Sequence, residues 1–156
     1  MSEHESPASP VALLDDPAIA ELLRSARTIA VVGASSNPAR PSYDVFQTLL
    51  RAGYECIPVN PNETEVHGVP AVATLAAAAA AGHIDIVDVF RRPELTEEVA
   101  REAVAIVAGA LWLQLGVVNW ETARIAAEGG LAVVMDRCTA IELRRMGRQT
   151  PRRTSD

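Results

Sequence analysis

Five short apolar segments recur along the chain, separated by stretches whose apolar residues repeat every three to four positions. The segments include runs of aliphatic residues such as TIAVV and LAVVM, and they lie at 28–32, 54–59, 84–90, 110–115 and 131–135. Runs of this length and composition are typical of strands that are buried on both faces of a parallel sheet. The pattern therefore predicts five parallel strands.

The stretches around these strands predict helices. They are expected at 41–52, 74–81, 94–107, 119–128 and 139–146, and one further helix precedes the first strand and ends at Ser25. Asp16 is the expected N-cap of that helix and Pro17 its first residue, while Gly53 is expected to end the helix at 41–52. A short extended piece is expected at 68–72.

Strand and helix thus alternate, which is the pattern of a parallel sheet covered on both faces. The sequence predicts an α/β fold, a Rossmann-like doubly wound parallel sheet in a single three-layer domain. Right-handed crossovers and the strand order 3-2-1-4-5 are expected. The domain is expected at 15–147, between a disordered N-terminal tail at 1–14 and a disordered C-terminal tail at 148–156.

The composition excludes several classes of protein. Of the 156 residues, 49% are hydrophobic and 22% are charged, and the apolar run near 76–81 is too short to span a bilayer. Because the first ten residues also lack a signal-peptide pattern, a cytoplasmic protein without a membrane partner is expected. A net charge of −6 argues against a nucleic-acid partner. The chain has no lysine, which excludes a P-loop lysine, a pyridoxal Schiff base and a lysine general base.

The first strand runs into a turn of small and polar residues. The turn carries Gly33, Ala34, Ser35, Ser36 and Asn37, and a helix follows from Pro41. Such a turn places backbone N–H groups and a positive helix end at the carboxyl edge of the sheet, where phosphate binds. Tight strand-to-helix turns without a ligand also favour glycine and serine, so the turn alone leaves both interpretations open.

Other residues are expected beside this turn, because the carboxyl ends of parallel strands share one edge. They are Arg40 after the turn; Asn60 and Pro61; Phe90, Arg91, Arg92 and Pro93; Gln114 and Gly116; and Asp136, Arg137 and Cys138. Arginines from two loops favour a ligand with more than one phosphate, although each alone is also compatible with a solvated surface charge.

The turn departs from the nicotinamide-dinucleotide fingerprint. Ala34 follows Gly33 and no second glycine follows, and the second strand ends in Asn60-Pro61 where that fingerprint has an acidic residue. Catalytic groups are also few, because none of His4, His67 and His83 is expected at the carboxyl edge. Cys138, beside Arg137, is the one nucleophile candidate, and a packed structural cysteine is the alternative.

Five segments in order carry a resemblance. They are VVGASSNPARPSYDV, the pair Gly53-Tyr54 with PVNP at 58–61, DIVDVFRRPE, LWLQLGVVN and VVMDRC. Together they resemble the CoA-binding protein family, stand-alone domains similar to the amino-terminal CoA-binding domain of the succinyl-CoA synthetase alpha subunit. The resemblance covers 19–146.

This resemblance implies a coenzyme A ligand and a role for each loop. It implies that Gly33, Ser35, Ser36 and Arg40 contact the phosphates, that Asn60, Pro61, Phe90, Arg91 and Pro93 surround the adenosine, and that Gln114 and Gly116 face the pantetheine arm. Cys138 is a candidate neighbour of the CoA thiol at the end of that arm.

We therefore expect a binder of CoA or acyl-CoA that is not an enzyme, since the resemblance covers one domain and the catalytic groups of an acyl-CoA ligase are missing. An NAD(P)-dependent oxidoreductase and a ligase-type subunit that needs a partner chain are the alternatives. A homo-oligomer and an unknown protein partner are both left open.

Overall fold

In the computed structural model, which describes residues 11–147, seven strands form one parallel sheet and one small hairpin. The strands are β1 (Thr28–Val32), β2 (Glu55–Val59), β3 (Glu65–Val66), β4 (Val69–Pro70), β5 (Ile86–Val89), β6 (Ala110–Leu113) and β7 (Ala132–Val134). β3 and β4 pair antiparallel, and the other five strands pair parallel in the order β2-β1-β5-β6-β7. All five predicted strands are therefore present, and the expected extended piece at 68–72 contains β4.

The predicted strand order is wrong at one edge. The sequence-based order 3-2-1-4-5 placed the second strand between the third and the first, whereas β2 lies at the edge and β1 lies between β2 and β5. The chain after β2 passes over β1 and adds β5 on its far side. Right-handed crossovers that move in opposite directions lie on opposite faces of a sheet. The order therefore depends on which face each helix covers, and the apolar pattern does not specify that.

Within residues 11–147, six helices cover the two faces of the sheet. They are α1 (Asp16–Ser25), α2 (Pro41–Arg51), α3 (Leu75–Ala79), α4 (Thr96–Ala105), α5 (Trp120–Glu128) and α6 (Thr139–Gly147), and a 3-10 turn at Pro93–Leu95 precedes α4. Leu23, Phe46 and Trp112 belong to the core under α1, α2 and α6. Leu75 and Leu113 belong to the core under α3, α4 and α5. The predicted three-layer α/β fold is confirmed.

The start of α1 differs from the expected one. Asp15, not Asp16, is the N-cap, and its side chain accepts the N–H of Ala18 at 3.0 Å. An N-cap residue needs an extended backbone and a side chain that reaches an N–H two or three residues ahead. The backbone of Asp15 is extended, with φ −86° and ψ 177°. Two adjacent aspartates before Pro17 leave the choice open in the sequence.

The ends of the domain are described only in part. The N–H of Leu14 donates to the carbonyl of Val133 at 3.0 Å, which joins the segment before α1 to β7. Residues 1–10 and 148–156 of the two expected tails lie outside the described residues. Within 11–147, no helix has the length and apolar character needed to cross a bilayer.

Candidate functional site

The candidate site begins where β2, β1 and β5 end side by side. Gly33 follows β1 with φ +86°, and its N–H donates to the carbonyl of Val59 at 2.9 Å. The N–H of Phe90 donates to the carbonyl of Val32 at 2.8 Å. A Cβ on Gly33 would lie 2.2 Å from the Phe90 carbonyl oxygen, so only glycine fits at this point. The glycine expected from the sequence is thus required by both conformation and space.

Polar side chains of the turn fix its own backbone. The N–H of Ser35 donates to Oγ of Ser42 in α2 at 3.0 Å, and the N–H of Asn37 donates to Oγ of Ser35 at 3.0 Å. The N–H of Ala39 donates to Oδ1 of Asn37 at 2.9 Å. Ser35 and Asn37, both candidate ligand residues, therefore also hold the turn in shape, and buried Ser42 is a support that the sequence did not reveal.

The N–H of Ser36 points to an acidic side chain from another loop. It donates to Oε2 of Glu63, between β2 and β3, at 2.9 Å. This backbone hydrogen bond, followed by hydrogen bonds from the Ser36 and Ser35 side chains, lowers the pKa of Glu63 below its ordinary value. A negative charge therefore lies on the turn where an anion was expected. Sequence reasoning missed Glu63, because only the path of the loop after β2 brings it here.

Asn60 ties the loop after β2 to the turn. Its Nδ2 donates to the carbonyl of Ala34 at 2.9 Å, and its Oδ1 accepts the N–H of Asn62 at 2.9 Å. Pro61 follows on the exposed surface of this loop. The two residues expected near an adenosine thus lie beside the turn, and Asn60 uses its amide to hold the loop.

The loop after β5 supplies an aromatic ring and charges. Phe90 is half-buried, and Arg91 and Arg92 are exposed. The carbonyl of Pro93 accepts hydrogen bonds from Oγ1 of Thr96 at 2.7 Å and from Nδ2 of Asn119 at 3.0 Å. The latter bond joins this loop to the one after β6.

Two arginines at the carboxyl edge, Arg40 and Arg91, have no charged partner among residues 11–147. Arg92 differs from them, because its Nε lies 3.6 Å from Oε2 of Glu94 and forms an ion pair with it. Arg40, just before α2, makes no side-chain cap bond, and neither it nor Arg91 forms an ion pair or a side-chain hydrogen bond with another residue of 11–147. Both guanidinium groups are therefore available to an anion.

Gln114 belongs to a buried polar network. Its Nε2 donates to Oδ1 of Asp88 in β5 and, at 3.1 Å, to Oγ1 of Thr139 at the start of α6. Oγ1 of Thr139 also lies 3.1 Å from Oδ2 of Asp88. Burial raises the pKa of Asp88 to about 7, against the opposing effect of hydrogen bonds from Gln114 and Thr139. Gln114 was expected to face a pantetheine arm, and here its amide nitrogen joins β5, β6 and α6.

The second aspartate of this strand segment, Asp85, lies at the opposite edge of the sheet. Its Oδ2 accepts the N–H groups of Arg27 at 2.9 Å and Thr28 at 3.0 Å, just before β5. Both aspartates were expected near a strand end. Asp85 precedes the strand, and Asp88 lies within β5 with no exposed surface.

Gly116 and Cys138 lie on the last two loops of this edge. The N–H of Gly116 donates to Oδ1 of Asp136 at 2.7 Å. Cys138 directly precedes α6 and is half-buried. Arg137 precedes Cys138, and its Nη1 lies 2.7 Å from Oδ1 of Asp16 and 3.4 Å from Oε2 of Glu142. The guanidinium group of Arg137 therefore forms ion pairs with two carboxylates.

Of the two histidines within 11–147, His67 contacts a backbone carbonyl group and His83 lies at the opposite edge of the sheet. Nε2 of His67 lies 2.8 Å from the carbonyl oxygen of Tyr43, and the two rings are tilted by 36° with their centroids 4.0 Å apart. His83 precedes β5 at the amino edge, 3.5 Å from Asp85. Within 11–147, no three His, Cys, Asp or Glu side chains are grouped so as to hold a metal ion. His4 lies outside the described residues.

Comparison with known proteins gives a family match and a fold match. The model of a family described as a CoA binding domain matches residues 27–144. The protein YneT of Bacillus subtilis (strain 168) is 44% identical over 123 residues, which are 79% of this chain and 90% of YneT.

Solved structures agree with this match. A protein from Pyrococcus horikoshii OT3 superposes with a TM-score of 0.81 at 34% identity, over 94% of this chain and 99% of that one. The dinucleotide-forming acetyl-coenzyme A synthetase 1 of Ca. Korarchaeum cryptofilum has a TM-score of 0.65 at 19% identity, over 74% of this chain and 27% of the synthetase. The latter likeness concerns the fold.

The substitution Asp88→Asn tests the buried network. Because the pKa of Asp88 rises from 3.8 to about 7 on folding, its contribution to stability is fully present below about pH 4 and is lost as the pH rises to about 7. An asparagine can accept from Gln114 and donate to Thr139 without a charge. We expect the variant to exceed the wild type in free energy of unfolding by about 1 kcal/mol or more at pH 8.

Urea unfolding of both proteins at several pH values between 4 and 8 measures this difference. It should be smallest at pH 4 and should level off above pH 7. A difference that stays constant over the whole range would contradict the buried, titrating carboxyl group.

Proposed function

The chain belongs to the CoA-binding domain family, as its motifs predicted, and we propose that it binds coenzyme A or an acyl-CoA without catalysing a reaction on it. The observation that carries the proposal is the turn at 33–40, which lies at the carboxyl edge where the connections after β1 and β5 diverge. In open α/β sheets, ligands bind at this position. Membership of the family makes CoA the first ligand to consider.

The phosphates of CoA are assigned to the turn. The N–H of Ser36 and the hydroxyl groups of Ser35 and Ser36 are donors for phosphate oxygens, and Gly33 lets the backbone approach closely. Arg40 supports this assignment, because its guanidinium group has no partner within 11–147 and follows the turn by only a few residues. A guanidinium group can donate two parallel hydrogen bonds to a phosphate.

The rest of the ligand is assigned to the neighbouring loops. Asn60, Pro61, Phe90, Arg91 and Pro93 are assigned to the adenosine, with the half-buried ring of Phe90 as an apolar wall and Arg91 as a free charge. The pantetheine arm is assigned to the loops that carry Gly116 and Cys138. Gln114 supports these loops through its hydrogen bond to the buried Asp88.

The arrangement of polar groups supports binding rather than catalysis. His67 is engaged with Tyr43 and His83 lies at the other edge, so neither can serve as a base at the turn. No histidine of residues 11–147 is hydrogen-bonded to Cys138. We also assign the protein to the cytoplasm, where CoA and reduced thiols are available.

A CoA-binding subunit of a ligase-type assembly is the second candidate. The observation that favours it is the likeness of fold to the Korarchaeum acetyl-coenzyme A synthetase, over 27% of that chain. In this case CoA still binds at the turn, and the reaction requires residues of another chain.

Ligand choice is the direct test of the proposed function. We expect CoA to raise the melting temperature while NAD at the same concentration does not, because the turn lacks the second glycine of the dinucleotide fingerprint. At a hundredfold excess over the dissociation constant, a ligand of the native state adds about 2.7 kcal/mol to its stability. Equal shifts with CoA and NAD in a thermal-shift assay would refute the choice of CoA.

Arg40→Ala tests the phosphate contact. Loss of a charge-assisted hydrogen bond should weaken CoA binding by about 1.5–3 kcal/mol, with little effect on the unliganded protein. Arg51→Ala is the matched control, since Arg51 is exposed in the last turn of the same helix. Calorimetric titration at low and high salt should show the loss, and a weaker salt dependence, only for Arg40→Ala. An affinity within about twofold of the wild type would move the contact to Arg91 or Arg92.

Formation of a mixed disulfide at Cys138 tests where the CoA thiol lies. With CoA disulfide as reagent, the Cys138 thiolate attacks one sulfur, forms a protein–CoA mixed disulfide and releases one molecule of CoA thiol. Cys56 is buried and its pKa is raised to about 12, chiefly by desolvation, so it should not react. Intact-mass analysis should find one adduct that is absent from Cys138→Ser. An adduct on Cys56 alone would contradict the assigned direction of the arm.

A further inference from the structure

We propose that the Glu63 carboxylate is a built-in anion that occupies the phosphate position of the turn and must leave before a ligand phosphate binds there. The inference rests on the proposed function, because it concerns the same turn. It adds a residue that lowers affinity for CoA and so determines which anions can enter the site.

The contact of Glu63 uses the donors that a phosphate needs. Oε2 of Glu63 accepts the backbone N–H of Ser36 at 2.9 Å, and this bond is the largest cause of the lowered pKa of the carboxylate, with smaller effects from the Ser36 and Ser35 hydroxyl groups. Backbone N–H and serine hydroxyl groups in a turn before a helix are the usual donors to phosphate oxygens. A carboxylate resembles a phosphate in charge and in its acceptor oxygens, so one anion replaces the other.

The backbone on both sides of Glu63 is anchored. The N–H of Glu63 donates to the carbonyl of Asn60 at 3.2 Å, and the N–H of Ala71 donates to the carbonyl of Thr64 at 2.9 Å. The side chain of Glu63 is only partly buried, and it forms no ion pair with an arginine of 11–147. Displacement of the carboxylate therefore needs only a rotation of the side chain into water, while the loop stays in place.

The two N–H groups on either side of Ser36 are already used within the turn and α2. The N–H of Ser35 is bonded to Ser42, and that of Asn37 to the Ser35 side chain, so a ligand that took these donors would undo the turn. The N–H of Ser36 differs from these, because its acceptor is a side chain from outside the turn and α2. Because two anions at this one donor repel each other, the ligand and Glu63 compete. A ligand with several negative charges should displace Glu63 more readily than a monoanion.

The test compares the wild type with Glu63→Gln and Glu65→Gln by calorimetric titration with CoA. Glutamine keeps the shape of the side chain and a carbonyl oxygen for Ser36, but not the charge. Glu65, exposed in β3, is the matched control for the loss of one negative charge nearby. We expect Glu63→Gln to bind CoA about fivefold more tightly than the wild type, and Glu65→Gln to stay within about twofold.

Two outcomes would overturn the inference while leaving CoA binding intact. Equal affinity of Glu63→Gln and the wild type would show that the carboxylate does not compete. Weaker binding by Glu63→Gln would show that Glu63 accepts hydrogen bonds from the ligand, such as those of ribose hydroxyl groups, instead of opposing it.

A second probe separates this inference from the proposed function. If CoA binds none of the three proteins, the proposed function fails, and inorganic pyrophosphate then tests the Glu63 contact by itself. In two-dimensional NMR spectra, pyrophosphate should shift the Ser36 amide signal at lower concentration in Glu63→Gln than in the wild type. The same concentration dependence, or no shift in either protein, would overturn the inference.

Discussion

The close approach of Gly33 to the Phe90 carbonyl is the constraint on which the site depends. It occurs where the connections after β1 and β5 diverge, and the turn can start there only if the residue that follows β1 has no Cβ. The N–H of Gly33 also donates to the carbonyl of Val59, which joins the turn to the edge strand β2. One residue thus brings the ends of three strands together, and the loops that follow them are close to one another as a consequence.

A second constraint acts behind the turn, within the sheet. Asp88 pairs in register with Val31 of β1 and Trp112 of β6, and its carboxyl group is shared by Gln114 and Thr139. An isolated charge in that position would be very costly, and a network that satisfies it in its neutral form fixes the start of α6 relative to β5 and β6. Polar contacts therefore help to position the loops after β6 and β7, whereas the start of the turn after β1 is set by a steric constraint at Gly33.

Most of the fold could be predicted from the sequence, because a buried parallel strand needs a continuous apolar run and the apolar residues of a helix recur every three to four positions. The family could be predicted as well, since its motifs lie in the strands' final residues and the turns after them. The strand order could not, because the choice of face for each crossover depends on the packing of all helices together. The assignments of individual residues to parts of the ligand stay predictions.

Glu63 shows why part of the site escapes sequence reasoning. Local patterns identified the turn through Gly33 and its serines, but the acceptor on Ser36 comes from 27 positions further along the chain. The anchoring of its loop, by Asn60 on one side and by the bond between Ala71 and Thr64 on the other, places it there. In a chain with a net charge of −6 and no lysine, attraction of anions in general is weak. If a phosphorylated ligand binds at the turn as proposed, it competes with this carboxylate and needs the backbone donors together with Arg40 and Arg91, which have no partner within 11–147. Under that proposal, selectivity depends on the geometry of the donors, since charge alone would not retain the ligand.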